Sequence, residues 1–407
     1  MTPAVIFAIA DVYSKYAESE VPGHRNPGDP PNPHPPSEEI NAAITKAFKE
    51  LDDLIVHGGA MKALGLNEVA YEALQKDNAD TPVATSPGGR RHSALREVSL
   101  ANEGSCALMS IYNTEERSLR VALTGDSRAV FGRRVSDSSS SGFIYEPEEL
   151  TMDQNATNPE EAARLHAEHP DEPDMLKNNR VVGWGPSRAF GDGSMKWSRA
   201  VQRRLNQEAL GDRPRENCKT PPYFTAEPVI TVKDNIQTGD FVVLASDGLW
   251  DCLTSEEVVG LVGMWLEKNG SKKTLSDGTR QVSVPPLINY SREDIADDEV
   301  KKAVTRYYDS IKGQTKATDL QRACKPSELP VRFPEGYKDK TGMYKYWRTE
   351  KKFVCEDQDT NVAAHLARNA LGGADDDLRG ALMQMRPPRT RRFRSVILLF
   401  QSALHYN

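Results

Sequence analysis

Three short acidic turns constrain the fold of this 407-residue chain more than any other feature. They are Gly125–Arg128 (GDSR), Ser187–Asp192 (SRAFGD) and Ala245–Asp251 (ASDGLWD). A single Asp next to Gly is an ordinary tight turn, because tight turns require these residue types. The first turn follows a run rich in β-branched residues, and the third follows the fully apolar run from Phe241. The pattern therefore predicts strands that end in carboxylate-bearing turns.

The residues around these turns predict both helices and antiparallel strands. Apolar residues at spacings of three and four predict amphipathic helices, and β-branched runs bounded by turn residues predict strands. Helices followed by a strand meander, strand–helix pairs, a further helix and a closing strand favour an α+β sandwich of sheets flanked by helices. The predicted strands are Cys106–Tyr112, Leu119–Thr124, Arg128–Arg134, Phe241–Ala245 and a last run in Arg394–Gln401, and the predicted helices are one capped by Ser37, Pro159–His169, Ser255–Leu266, Asp297–Ile311 and Asp359–Leu371.

Composition excludes several classes of function. The net charge of −7 gives no electrostatic reason to bind nucleic acid or an anionic membrane, and no apolar run reaches the roughly 20 residues that span a bilayer. Five scattered cysteines without a CxxC pair argue against a disulfide scaffold and against a zinc site, which favours a reducing compartment. Arginines near Arg389–Arg394 are best interpreted as a solvated loop.

The first residues predict a core helix rather than a targeting peptide. Val5, Ile9, Val12 and Tyr16 form one apolar stripe, and no basic segment or cleavage site precedes them. We therefore expect a truncated start. We predict one domain over 1–407, interrupted by a Pro-rich loop at 21–36 and an insertion at 266–347.

The ordered turns carry a resemblance to a known family. Between the first two turns lie Thr151–Asn155 (TMDQN) and a helix that ends in Glu168–Pro170 (EHP). This order resembles the PPM-type metal-dependent protein serine/threonine phosphatases, which carry GDSR, a DHN-like turn with a helix ending in EHP, SRAFGD and ASDGLWD. GSCAL at Gly104–Leu108 and NVAAHLARNALGGAD at Asn361–Asp375 resemble the mitochondrial, pyruvate dehydrogenase phosphatase-like branch, including its fungal members.

The resemblance implies a four-layer α-β-β-α sandwich whose first strands are missing here, and hydrolysis of phosphoserine and phosphothreonine in proteins. It implies two or more Mg²⁺ or Mn²⁺ ions, a phosphoprotein substrate such as pyruvate dehydrogenase, and a mitochondrial location; no regulatory subunit can be named. The residues it assigns to metal binding are Asp247, Asp126 and Asp251, and those it places beside the centre are Asp192, Arg188, Ser246 and Gly248.

The chemistry explains these residue types. A phosphate monoester resists attack because its anionic oxygens repel a nucleophile, and two divalent cations can neutralise that charge and activate a water molecule. Mg²⁺ and Mn²⁺ prefer oxygen ligands, so aspartates on strand-end turns are the expected ligands. No covalent phosphoenzyme is required, and no catalytic residue is identified apart from the metal ligands.

The two ends of the family pattern are not found. No Asp-Gly-His occurs, although the family carries DGHGG before its first helix, and Arg391–Ile397 stands where a metal-binding Asp leads into the last strand. Asp375–Asp377 is better interpreted as the first turn of a helix, and Asp357 and Asp359 as the start of another. We therefore expect this chain, as written, to bind metal weakly and to have little phosphatase activity.

Three interpretations remain open at this point. The chain is an incomplete sequence of a working phosphatase, or a phosphatase-like module that binds phosphoproteins or a partner, or an unrelated sandwich with coincidental turns. Smaller features fit a structural role in each case. His166 and His169 lack a third metal ligand, which favours a surface or supporting role, and Trp250 is predicted to anchor the core.

Overall fold

The computed structural model describes residues 35–79, 91–136, 143–269, 273–274, 280–281, 323–337, 353–354 and 361–385. The chain divides into two compact units. The first unit comprises Met1–Ala129, Glu149–Ile236 and Leu244–Asp247, and the second comprises Val130–Glu148, Gln237–Val243 and Gly248–Asn407. The predicted helix at 5–16, nearly all of the Pro-rich loop, the helix at 297–311, the basic stretch at 389–394 and the closing strand lie outside the described residues.

Ten α-helices are described in these ranges. Their bounds are α1 Ser37–Asp53, α2 Gly59–Leu64, α3 Glu68–Gln75, α4 Arg91–Asn102, α5 Pro159–Glu168, α6 Arg199–Ala209, α7 Asp247–Trp250, α8 Ser255–Asn269, α9 Val362–Ala370 and α10 Asp376–Gln384. A π-helical turn at Leu54–Gly58 joins α1 to α2, and 3₁₀ turns lie at Gly193–Met195 and Pro326–Glu328.

Fourteen strands accompany these helices in the same ranges. They are β1 Gly104–Ser105, β2 Ala107–Asn113, β3 Ser118–Thr124, β4 Arg128–Ser136, β5 Phe143–Glu149, β6 Leu176–Lys177, β7 Arg180–Val181, β8 Phe190–Gly191, β9 Val229–Lys233, β10 Phe241–Ala245, β11 Lys273–Thr274, β12 Arg280–Gln281, β13 Ala323–Cys324 and β14 Phe353–Val354. Helices and antiparallel strands thus coexist, which confirms the α+β class.

Helix α1 forms where the apolar spacing predicts it. Ile40, Ile44 and Phe48 lie on its buried face, and burial of each such side chain contributes about 1.5–3 kcal/mol. The predicted cap is wrong, because Pro36 occupies the N-cap position. The hydroxyl of Ser37 instead accepts a hydrogen bond from Arg120 Nη2 at 2.8 Å, so a buried guanidinium competes for the group that would cap the helix.

The sheet of the first unit has the order β2-β3-β9, with antiparallel pairs on both sides of β3. Helix α1 packs on it through Phe48 and Ile44, which join Ala107 and Ala122 in one core cluster. The predicted three-stranded meander is only partly right, since β2 and β3 pair but β4 does not join them. The free edge of β3 is taken by β9, which lies more than 100 residues further along the chain.

The sheet of the second unit has the order β10-β4-β5. Every residue of the Phe241–Ala245 strand is buried, as its unbroken apolar sequence predicts. The backbone approaches closely at two glycines, because a Cβ at Gly132 would lie 2.5 Å from the Phe241 ring and one at Gly263 would lie 2.5 Å from the Tyr145 ring. Helix α8 can therefore lie directly on Tyr145 only where it carries glycine.

The described end of the chain confirms one helix start and shifts another. Asp375 caps α10 by accepting from the backbone N–H of Leu378 at 2.9 Å, as the acidic run predicts. Helix α9 begins after Asn361, which caps it, whereas Asp357 and Asp359 lie outside the described residues. The scattered cysteines argue against a disulfide scaffold and favour a reducing compartment, yet Cys324 is disulfide-bonded.

Cys106, Cys218 and Cys252 are free thiols. None of the helices in the described ranges combines the length and the apolar character needed to cross a membrane.

Candidate functional site

Gln154 holds the GDSR turn at the end of β3. The backbone N–H of Gly125 donates to Gln154 Oε1 at 2.6 Å, and the backbone N–H of Gln154 donates to Gly125 O at 3.0 Å. The Gln154 amide also donates to Leu123 O at 3.1 Å, and the side chain is 1% exposed. Gly125 has φ +111°, a conformation that L side chains rarely adopt. The backbone that leads into Asp126 is therefore tightly specified.

The thiol of Cys106 lies against the Asp126 carboxylate. Cys106 Sγ is 3.1 Å from Asp126 Oδ1. Burial, and after it the charges of Asp126 and Asp247, raise the pKa of the Cys106 thiol to about 12. Two of the predicted metal-binding aspartates, Asp126 and Asp247, therefore lie in the electrostatic neighbourhood of one thiol.

The other predicted residues of the ASDGLWD motif belong partly to the first unit and partly to the second. Ser246 follows β10 within the first unit, whereas Gly248 and Asp251 belong to the second unit. Trp250 is buried, as predicted for a core anchor.

The donor set fits a hydrated Mg²⁺ or Mn²⁺ ion. Such ions accept one or two carboxylates and keep several water molecules. Asp126 and Asp247 would supply carboxylate oxygens, and Gly185 leaves room beside the first, since a Cβ there would still lie 3.9 Å from Asp126 Oδ2. Among the described residues, no group of three or more His, Cys, Asp or Glu side chains is arranged to hold a metal ion. The assignment of Asp247, Asp126 and Asp251 as ligands stays a prediction.

The SRAFGD turn is attached to the GDSR turn through the same glutamine. The backbone N–H of Ser187 donates to Gln154 O at 2.8 Å. The Ser187 hydroxyl donates to Glu161 Oε2 at 2.7 Å, and Glu161 lies on the buried face of α5. Gln154 and Glu161 thus tie three motifs of the sequence into one hydrogen-bonded network.

Glu161 is the centre of a buried charge cluster. Arg188 donates to Glu161 Oε1 through Nε at 2.9 Å and Nη2 at 2.5 Å, and Arg164 Nη2 donates to Oε2 at 2.9 Å. Burial by itself would raise the pKa of Glu161, but the hydrogen bonds from Arg188, Ser187 and Arg164 outweigh it and lower that pKa to about 2. We call Glu161, Arg164, Ser187 and Arg188 the Glu161 cluster.

A second buried cluster follows the same turn. Lys196 Nζ is 2.6 Å from Asp52 Oδ2 and donates to Ala189 O at 2.6 Å, and the Gly191 N–H donates to Asp52 Oδ1 at 2.8 Å. Asp192 has φ +46° and is 6% exposed. We call Asp52, Asp192 and Lys196 the Lys196 cluster.

Burial dominates the electrostatics of the Lys196 cluster. It raises the pKa of Asp52 and lowers the pKa of Lys196, in each case against the attraction of the partner. It also raises the pKa of Asp192 to about 6, with Lys196 opposing that shift and the charges of Asp52 and Glu103 adding to it.

A cavity of about 380 Å³ lies next to both clusters. Each lysine and arginine in its lining has an acidic partner: Lys49 pairs with Glu227, Arg164 with Glu161 and Glu168, Arg188 with Glu161, and Lys196 with Asp52. Because these pairs neutralise the lining, the cavity lacks the excess positive charge that a phosphate group requires.

The sequence predicted part of this arrangement. Arg188 and Asp192 are predicted to lie beside a metal centre, and that stays a prediction; the structure places each of them in a buried charge cluster. Glu161, Gln154 and Lys196 were missed. Glu161 could have been found, because it lies four residues before Leu165 and therefore shares the apolar face of its helix.

The two histidines of the EHP helix have different environments. His166 is exposed, in agreement with a surface role. His169 is buried, contacts Thr220 Oγ1 at 2.9 Å through Nδ1, and stacks on Tyr223 at 4.5 Å between ring centroids.

Comparison with known proteins gives a consistent result. A family profile described as protein phosphatase 2C matches residues 46–286. A protein phosphatase 2C homologue of Schizosaccharomyces pombe is 32% identical over 90% of this chain and 63% of its own length. The mitochondrial [pyruvate dehydrogenase [acetyl-transferring]]-phosphatase 1 of Saccharomyces cerevisiae is 30% identical over 88% of this chain and 52% of its own length.

Among solved structures, a serine-threonine phosphatase 2C from Toxoplasma gondii aligns with a TM-score of 0.34 and 16% identity, over 65% of this chain and 67% of its own. The present chain spans less than two thirds of the length of the two fungal relatives.

Proposed function

Because this chain belongs to the protein phosphatase 2C family, we propose that the full-length protein removes phosphate from phosphoserine and phosphothreonine in proteins, with Mg²⁺ or Mn²⁺ as cofactor. One observation carries the proposal. Asp126 follows strand β3 and Asp247 follows strand β10. Both lie close enough to Cys106 for their charges to raise the pKa of its thiol. Carboxylates converging from two strand ends are suited to hold a hydrated divalent cation.

The chain's own residues have distinct tasks in this proposal. Asp126 and Asp247 would hold the cations, which when bound neutralise the phosphate and activate the attacking water. Gln154 holds the backbone before Asp126 in the positive-φ conformation that Gly125 permits. Arg188 donates hydrogen bonds from two of its nitrogens to Glu161 and from the third to the backbone oxygen of Glu227. In this conformation Arg188 therefore supports the turn and does not bind phosphate.

The substrate and the location follow from the relatives. The yeast relative is named as a mitochondrial phosphatase of pyruvate dehydrogenase, and it matches 88% of this chain. We propose the phosphorylated pyruvate dehydrogenase complex as substrate and the mitochondrion as the site of action. Release of phosphate from that complex, compared with release from unrelated phosphoproteins, tests the substrate.

The activity is tested on the full-length product of the gene. We expect it to hydrolyse phosphoserine and phosphothreonine peptides in the presence of Mn²⁺, and to lose the activity in EDTA. Asp247→Asn should lower kcat/KM by at least about 100-fold, because changes one shell further from a metal already cost 10–100-fold. Asp171→Asn, a change to an exposed aspartate of the same unit, is the matched control and should be neutral. Full activity of the Asp247 variant, or activity in EDTA, would contradict the proposal.

A second candidate is a binding module that retains the fold without hydrolysis. It is favoured by the lack of any arrangement of three metal-binding side chains among the described residues. The two candidates differ in one readout. If the full-length protein is a binding module, it binds a phosphopeptide and releases no phosphate in the presence of Mn²⁺. If it is an enzyme, it releases phosphate over many turnovers.

A further inference from the structure

We propose that Cys106 is a positioning residue, whose thiol orients the carboxylate of Asp126 for cation binding. The inference rests on the proposed metal-dependent function, and it assigns a role to a residue outside the predicted ligand set. It starts from the hydrogen bond that the Cys106 thiol donates to Asp126 Oδ1, with 3.1 Å between Sγ and the oxygen.

The backbone geometry brings the thiol to this position. Cys106 lies between β1, which pairs with β8, and β2, whose Ala107 is paired with Thr124 of β3. This register places Cys106 opposite Gly125. A Cβ at Gly125 would lie 2.4 Å from Cys106 Sγ, so only glycine allows the thiol to pass the turn and reach the next residue.

Different residues hold the backbone of the GDSR turn and the side chain of Asp126. Gln154 makes three hydrogen bonds to Leu123 and Gly125 and fixes the main chain before Asp126. It makes no bond to the carboxylate itself. The thiol is the group that bonds Oδ1, and this contact selects one orientation of the carboxylate while Oδ2 faces Gly185.

Holding a ligand in its binding orientation lowers the entropy lost when the cation binds. Partners that orient a metal ligand typically change metal affinity by about 10–100-fold when they are removed. A hydroxyl can replace the thiol as a donor, whereas a methyl group cannot. Serine and alanine at position 106 therefore form a matched pair that separates hydrogen bonding from packing.

The first arm of the test measures the contact without any metal. In infrared difference spectra of the full-length protein, the S–H stretching band lost in Cys106→Ser identifies the Cys106 thiol. We expect this band at lower frequency than that of a thiol with no hydrogen bond, and we expect it to move up in Asp126→Ala. A band that does not move in Asp126→Ala would overturn the proposal.

The second arm measures Mn²⁺ binding to the full-length protein by electron paramagnetic resonance. Cys106→Ala should weaken Mn²⁺ binding by about tenfold or more, and Cys106→Ser should restore it to within about threefold of wild type. Cys218→Ala removes another buried thiol and should leave Mn²⁺ affinity unchanged. Equal affinity of the Cys106→Ala variant and the wild type would overturn the positioning role.

The two arms separate this inference from the proposed function. If the wild type binds Mn²⁺ but hydrolyses no phosphopeptide, the proposed activity fails, and Cys106→Ala still decides the positioning role. If the wild type binds no Mn²⁺, the metal-dependent function fails, and the thiol contact is then structural only, which also overturns the positioning role.

Discussion

The Glu161 cluster and the Lys196 cluster are both buried and both attached to the SRAFGD turn, yet the pKa values of their carboxyl groups are shifted in opposite directions. Glu161 has a pKa lowered to about 2, whereas Asp192 has a pKa raised to about 6. The Glu161 carboxylate receives hydrogen bonds from two arginines and a serine. Lys196 is a single cation facing two acids, and it forms its ion pair with Asp52.

The difference shows that burial alone does not decide the charge state of a carboxylate. Desolvation penalises the ionised form in both clusters, and only the number of donors aimed at the carboxylate reverses the outcome. Two planar guanidinium groups supply enough donors, and one ammonium group shared by two acids does not. Substitutions in the two clusters should therefore differ in size and even in sign.

The largest effect is expected for Lys196→Met. The substitution removes the cation and leaves Asp52 and Asp192 buried together, so the free energy of unfolding should fall by about 3–5 kcal/mol. Urea denaturation at pH 7 measures the loss. Lys62→Met, a change to an exposed lysine of α2, is the control and should stay within about 0.5 kcal/mol of wild type. A loss below about 1 kcal/mol for Lys196→Met would show that the cluster is not held as a buried ion pair.

The next largest effect is expected for Glu161→Gln, which leaves Arg164 and Arg188 without their shared anion. The pKa of Glu161 falls from 4.5 to about 2, which corresponds to about 3 kcal/mol of stabilisation above pH 4.5. Because the folded-state pKa is lowered, this stabilisation is lost as the pH falls from about 4.5 toward 2. Denaturation at pH 7 and at pH 3 should show a large difference in stability between wild type and variant at pH 7 and less than about half of that difference at pH 3.

The matched control for that experiment is Glu160→Gln, since Glu160 is the exposed neighbour of Glu161 in the first turn of α5. If Glu160→Gln and Glu161→Gln change the pH dependence equally, the stabilisation comes from the helix N-terminus and not from the cluster.

A change of opposite sign is expected for Asp192→Asn. The folded-state pKa of Asp192 is raised from 3.8 to about 6, so the folded protein binds this proton more tightly and its stability falls as the pH rises from about 4 to 6. The neutral amide removes that penalty and should stabilise the protein by roughly 1–3 kcal/mol at pH 7.5. Thermal unfolding at pH 4 and at pH 7.5 tests the sign. Destabilisation at pH 7.5 would mean that the Asp192 charge is needed by Lys196.

The smallest effect is expected for an exposed ion pair that lines the cavity next to the two clusters. Lys49 and Glu227 form an ion pair of 3.0 Å, with side chains that are 51% and 48% exposed. A double-mutant cycle with Lys49→Ala and Glu227→Ala should give a coupling energy of about 0.2–1 kcal/mol that vanishes in 1 M salt. A coupling above about 2 kcal/mol would show that this pair belongs with the buried clusters.

Local patterns in the sequence predicted the individual elements well. The apolar spacing of Ile40, Ile44 and Phe48 led to α1, and the apolar run at Phe241–Ala245 led to a buried strand that delivers Asp247. These predictions succeed because the period of a helix or strand is set by the backbone of each element. The pairing of β3 with β9 was not predicted, because a distant strand competes for the same edge.

The sequence by itself determined the family, the order of the acidic turns and the residue types that suit a divalent cation. Only the tertiary structure decided which carboxylates form ion pairs with arginine or lysine side chains and which one lies beside a thiol. Glu161 has Arg164 three residues away and Asp192 has Lys196 four residues away, but nothing in their local sequence shows that Arg188 also binds Glu161 or that Asp52 shares Lys196. The physical reason is that a charge state depends on donors brought from distant segments and on the water that folding removes.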